Sequence, residues 1–217
     1  MTFSLGSTHR SLVKYNDQSI SAITEVGSGA GITDDMVLIK EQTASSSSTV
    51  DFVDGTSDVV LDSTYPIYLF KFINMHPATD DVFFGHQGDV DGATTYGQTC
   101  TNAVFYARHE EDDSPADMDY YASADQAQGT GINQMVQLGN DNDQAGSGYL
   151  HIFNPSSTTF VKHFISRFNG AHPSDNSMSI FSAGYYNTTS ALNTFRFKMS
   201  SGNIDAGTIK LYGIKDS

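Results

Sequence analysis

A chain of 217 residues, 38% of them hydrophobic and 12% aromatic, is long enough to bury a core without covalent staples. Its 25 Asp and Glu against 11 Lys and Arg leave a net charge of −14, which repels phosphate backbones and argues against nucleic acid as a partner. One cysteine, Cys100, rules out a disulfide framework within the monomer and any multi-cysteine zinc site, and no run approaches the roughly 20 apolar residues of a membrane helix.

The charge is uneven. Up to Asn154 five Lys and Arg face 22 Asp and Glu, whereas from Pro155 onward six face three. Solubility accounts for much of this, but weakly basic C-terminal strands would also suit the acidic loops of neighbouring copies. The start, Met-Thr-Phe-Ser-Leu-Gly, lacks a charged stretch followed by an apolar block, so no export signal and a soluble product are expected.

Residues 1–40 read as an N-terminal arm or edge segment. Its short apolar pieces are separated by Asn16-Asp17 and by the glycine-rich Gly27–Gly31, which opens no helix and therefore reads as a joint rather than a phosphate loop. A single domain is expected over 41–217. Met36–Thr43 reads as a strand, Ala44–Ser48 as a serine-rich turn, and Asp54-Gly55 supplies turn chemistry after Thr49–Val53.

Tyr65–Asn74 is the stretch on which the rest is laid. Tyr68, Phe70 and Phe72 share one face and Ile67, Leu69 and Ile73 the other, so a central strand covered on both sides is expected. Strand candidates follow at Asp81–Gln87, Ala103–Glu110 and Met118–Ala122. Ser123–Gly129 reads at most as a short surface helix. Beyond it come Ile132–Leu138, Tyr149–Asn154, Phe160–Phe168 and Ser179–Tyr186. The last pair, Asn193–Met199 and Thr208–Ile214, reads as an antiparallel hairpin. Brief alternating runs separated by turn residues point to an all-β antiparallel β-sandwich, specifically a jelly roll, with an N-terminal arm.

Chemistry-bearing patterns are sparse. Glu110, Glu111, Asp112 and Asp113 open an oxygen-rich loop that could attract Ca²⁺, and Asp89-Val-Asp91-Gly92 matches only the beginning of a calcium loop. Asn140–Asp143 reads as a turn, and Asn187-Thr-Thr189 matches a glycosylation acceptor. The seven histidines share no zinc-protease spacing, although His151 and His163 could meet on neighbouring strands. No Gly-x-Ser-x-Gly nucleophile turn is present and no carboxylate pair stands out, so no catalytic residue is assigned and a non-enzymatic role is expected. Tyr120, Tyr121, Tyr185 and Tyr186 suggest a surface for a sugar or a protein.

Several segments carry a resemblance. They are Thr43–Val50, Leu61–Asp80 with its Tyr-Pro-Ile-Tyr-Leu-Phe-Lys-Phe-Ile-Asn run, Ala122–Gly129, Leu150–Thr159, and the ending Phe197–Lys215 with Ser-Gly-Asn-Ile-Asp-Ala-Gly-Thr-Ile-Lys-Leu-Tyr-Gly. Together they resemble structural proteins of tailed bacteriophages, many from aquatic viruses, and the ending is similar to the terminal strands of jelly-roll virion domains. The resemblance implies a virion component assembled in the bacterial host cytoplasm. Such a protein would decorate the capsid as a cement or build a tail appendage, contacting other virion proteins through the arm and forming a homotrimer or another homo-oligomer, with no membrane partner. The alternative is a tail-associated receptor-binding module that recognises host surface glycan. A virion glycan hydrolase would instead require two convergent carboxylates in a groove.

Overall fold

The computed structural model describes residues 36–92, 95–114 and 116–215, which form strands, turns and loops without a helix. Most of the expected arm, up to residue 35, lies outside the described residues; its final five residues already belong to the first strand.

The strands in chain order begin with β1 (Met36–Ser47), β2 (Val50–Val53), β3 (Ile67–Pro77) and β4 (Val82–Asp89). After them come β5 (Cys100–Glu110), β6 (Ala116–Tyr120), β7 (Gln126–Gly129), β8 (Asn133–Leu138) and β9 (Gly146–Phe153). The chain closes with β10 (Lys162–His172), β11 (Asn176–Tyr186), β12 (Thr194–Met199) and β13 (Ile204–Ile214). A nine-stranded sheet runs β1-β13-β3-β9-β10-β11-β5-β6, with β7 also paired to β5, and a four-stranded sheet runs β2-β12-β4-β8. The pairings are antiparallel, and the protein is an all-β antiparallel sandwich.

Both sheets contribute one apolar face to a shared core, because alternation within each strand leaves every second side chain facing inward. The large sheet supplies Tyr68, Phe70, Phe72, Phe164, Phe168, Ile209 and Leu211, and the small sheet Phe52, Phe84, Phe195 and Phe197; all are buried. Loop residues Val59, Leu61 and Leu192 plug its margins. Gly170 on β10 faces Val136 and Leu138 of β8, whose methyls would lie 2.6 and 2.7 Å from a Cβ there. The missing side chain is what lets β8 approach. Gly170→Val is expected to destabilise the fold by about 1–3 kcal/mol through overpacking; an unaltered urea midpoint would contradict this.

Four segments differ from the sequence reading. Ala44–Ser48 is not a turn: β1 continues to Ser47, paired with Ile204, because β13 offers a full edge for its backbone. Ser123–Gly129 contains no helix. Gln126–Gly129 instead pairs with β5, and the Gln126 amide donates to Asn102 Oδ1 at 2.6 Å. Phe160 precedes β10 and is largely exposed, whereas Phe164 and Phe168 are core. Finally, β12 and β13 are not a hairpin, since they belong to opposite sheets and present Phe195 and Phe197 on one side, Ile209 and Leu211 on the other, to one core. The strand pattern of β3 is as read, but its second face is covered only in part: Leu69 is buried, whereas Ile73 is 42% exposed.

Candidate functional site on the outer face of the large sheet

Registers across the large sheet assemble residues that are distant in sequence into rows on its outer face. One row runs Glu41, Lys210, Lys71, Tyr149, Arg167, Phe181, Phe105, Tyr120, each residue directly opposite the next. The adjacent row runs Leu38, Tyr212, Leu69, His151, Ile165, Ala183, Ala103. Alternation with buried neighbours such as Phe70, Leu150, Phe168, Ile180 and Val104 turns these side chains away from the core.

The face is apolar for a surface. Leu38 is 50% exposed, Ile165 49%, Phe105 43% and Tyr120 52%, and Met118 on β6 reaches 73%. Single exposed apolar residues are ordinary; a contiguous set spread over one sheet marks an interaction surface. Within it an open groove of about 410 Å³ runs along β3 and β9, bounded by Leu69, Lys71, Ile73, Tyr149 and His151.

Its electrostatics run against the rest of the chain. Glu41 is the only carboxylate in the two rows, and it is held by Lys210 at 2.9 Å. Lys71 Nζ lies 5.1 Å from the centre of the Tyr212 ring, and the Arg167 guanidinium lies 4.8 Å from that of Phe181. Phe181 stacks on Phe105 at 4.9 Å between ring centres. Partial burial lowers the basicity of His151. The face therefore offers rings, aliphatic surface and cations lying over rings, which suits docking.

The four tyrosines singled out in the sequence do not form one surface. Tyr120 and Tyr185 lie on the outer face, with Tyr185 6.0 Å from the His163 ring. Tyr121 turns inward toward Phe83 and Tyr106 and donates to Gln137 Oε1. Tyr186 is a core residue at 1% exposure, so its assignment to a surface is corrected. The signal for this was in the double-tyrosine pattern of β11 itself, because consecutive strand residues face opposite ways.

The acidic stretch is likewise dispersed. Glu110 Oε1 lies near Arg108 at 3.8 Å and accepts from Asn176 at 3.4 Å; Asp113 lies 3.5 Å from His109. Asp112 accepts from the Ser114 amide and hydroxyl, and these bonds hold its carboxyl below the usual range. Glu111 is exposed. Among the described residues no group of three or more His, Cys, Asp or Glu is arranged to hold a metal. Asp89 accepts from the Val90, Thr95 and Tyr96 amides, so the expected beginning of a calcium loop instead pins its own turn.

Beneath the outer face lies a polar chain that the sequence did not announce. Gln126 donates to Asn133 Oδ1 at 3.0 Å, Asn133 donates to the Tyr186 hydroxyl at 3.1 Å, and that hydroxyl is 2.8 Å from His86 Nδ1. Burial pushes His86 down to about 3, the Tyr186 hydroxyl well up, and the Cys100 thiol up to about 12. Cys100 thus stays protonated, as suits a packed thiol. The Lys162 amine is also enclosed and donates to the Phe160 and Thr188 carbonyls at 2.8 and 3.1 Å.

Comparison with family models, with curated proteins and with solved structures returned no match.

Proposed function

We propose that the chain is a non-enzymatic structural protein of a tailed-bacteriophage particle, acting on its exterior through protein–protein assembly. The observation that carries this reading is the outer face of the large sheet, a contiguous apolar and aromatic surface on a chain that is otherwise acidic. A surface of that kind gains free energy by leaving water.

The order of strands supports the jelly-roll form of the sandwich. Taken as β1, β2, β3, β4, β8, β9, β12, β13, the chain crosses between the two sheets at every step except β4 to β8, giving β1-β13-β3-β9 against β2-β12-β4-β8. The remaining strands are two insertions, β5–β7 and β10–β11, and both extend the large sheet. Capsid decoration and a tail appendage are both consistent with such a widened face, and the resemblance noted in the sequence points to the same class of particle. Other virion proteins, contacted through the N-terminal arm, are the partners, and the virion, assembled in the host cytoplasm, is the location.

Host-glycan recognition is less well supported, since the tyrosines that suggested it are divided between core and surface. The test is a map of the purified particle at a resolution that locates each chain. This protein is expected on the exterior, with its large sheet covered. Its absence from purified particles would overturn the proposal.

A further inference from the structure

The outer face carries a charge opposite to that of the chain it belongs to. Its two rows hold three cations, Lys210, Lys71 and Arg167, and one carboxylate, Glu41. Flanking positions such as Asn169 and Met118 on one side, and His163 and Tyr185 on the other, add no carboxylate. In the whole chain, by contrast, 25 Asp and Glu outnumber 11 Lys and Arg. Glu41 neutralises Lys210 at 2.9 Å. Lys71 and Arg167 have no such partner among the described residues: they lie over the rings of Tyr212 and Phe181, which leave their charge uncompensated. Both stand directly opposite Tyr149, one on each side, so two strand spacings of about 4.8 Å separate them.

The surroundings indicate what would bring the missing negative charge. The groove that passes Lys71 and Tyr149 has chiefly apolar walls, with few polar groups to meet the hydroxyls of a sugar. Around it the exposed side chains include Ile73, Tyr149, Ile165, Phe105 and Met118. Aromatic residues, methionine and arginine are the types enriched where proteins meet, and carboxylates are depleted there.

We propose that this face binds a different protein, through a segment that sets an apolar or aromatic side chain in the β3–β9 groove and a carboxylate over Tyr149, within reach of Lys71 and Arg167. This rests on the assembly reading above and gives the chemistry of the virion partner: an acidic surface with apolar anchors. The Arg167 guanidinium can take a carboxylate through two parallel hydrogen bonds while its plane stays over Phe181, which a lysine amine cannot do. Tyrosine and arginine at the centre of a face are also the residue types that carry most of the binding energy in such contacts. A second copy presenting the same face would instead oppose cation to cation. The size agrees. Eight strands about 4.8 Å apart and three outward rows about 6.7 Å apart cover about 700 Å², close to the roughly 800 Å² per partner of a standard stable interface.

Purified particles treated with a carbodiimide test the inference, since this reagent joins an amine to a carboxylate in contact with it and adds no spacer. Mass spectrometry of the linked peptides is expected to show Lys71 joined to an Asp or Glu of a different particle protein. In parallel, the recombinant full chain is added back to particles assembled without it, with circular dichroism to verify that each variant is folded. Arg167→Glu and Ile165→Asp, both at exposed positions, are each expected to weaken rebinding at least about tenfold, roughly 1.4 kcal/mol. Rebinding of the parent should also weaken as salt is raised. Lys198→Glu, on the small sheet, is expected to rebind as the parent does. Where Lys71 forms no link, the rebinding of the variants decides. Rebinding insensitive to both substitutions, a link from Lys71 to another copy of the chain, or variants that lose binding to host polysaccharide and keep their place on the particle would overturn the proposal. Each of these leaves the virion reading standing, because the chain is then still found in the particle; its absence from purified particles would remove both.

Discussion

Phe197→Ala is expected to lower the free energy of unfolding by about 3–5 kcal/mol, the range for deleting a buried ring whose cavity cannot collapse. Phe197 lies on the small sheet, but its ring is 4.9 Å from Phe70 and 5.0 Å from Phe72 of β3, 6.0 Å from Phe52, and 6.2 Å from Phe84, between ring centres. It therefore joins three strands of the small sheet to the centre of the large one. Neighbouring rings are fixed from both sides and cannot move in to fill the space. Urea unfolding should show a lower midpoint with little change in slope, and a loss below about 1 kcal/mol would mean that the two layers are not locked through this ring.

Stability is expected to decline as pH falls below about 6.5, with one contribution traceable to His86. The residue is fully buried at 0% exposure, its Nδ1 is matched to Tyr186, and its Nε2 has no hydrogen-bond partner among the described residues. Burial depresses its proton affinity to about 3. Between that value and the ordinary 6.5 the unfolded chain binds a proton that the folded chain refuses. The stabilisation is thus complete above about pH 6.5 and is lost as pH falls toward 3, at up to about 1.4 kcal/mol per pH unit. His86→Leu removes this contribution. Plotted against pH, the stability of the variant should fall less steeply than that of the parent over this window. Parallel curves would show that His86 is not the neutral buried imidazole described above.

Much of the architecture was legible in single strands. The alternation of Tyr68, Phe70 and Phe72 against Lys71, or of Phe195 and Phe197 against Arg196 and Lys198, is a local consequence of the pleat and appears in the sequence whatever lies opposite. The same local pattern misled at β12 and β13. Two adjacent amphipathic strands read as a hairpin when they pair side by side, and read identically when they face each other across a core. The short stretch Gln126–Gly129 gave no strand signal, because its order comes from pairing with β5 and from Asn102 rather than from its own side chains.

The candidate site was the least legible part. Ile165 and Arg167 share one face of one strand by alternation alone, yet nothing in the chain's order places Arg167 beside Tyr149 and Phe181, or Lys71 beside Lys210. Tyr120 and Tyr185 were recognised as surface candidates, and Tyr186 joined them only because it is their neighbour in the chain.

From its residues alone, this protein was committed to an all-β sandwich, since alternation at period two and turn residues between short runs act within each segment. Closure of the sheets decided the rest: which strands became neighbours, which faces turned inward, and which rings and cations came together on the open side. The reason is that register is set by hydrogen bonds between segments that close long loops, and its partners are selected by burial of the whole layer rather than by any one strand.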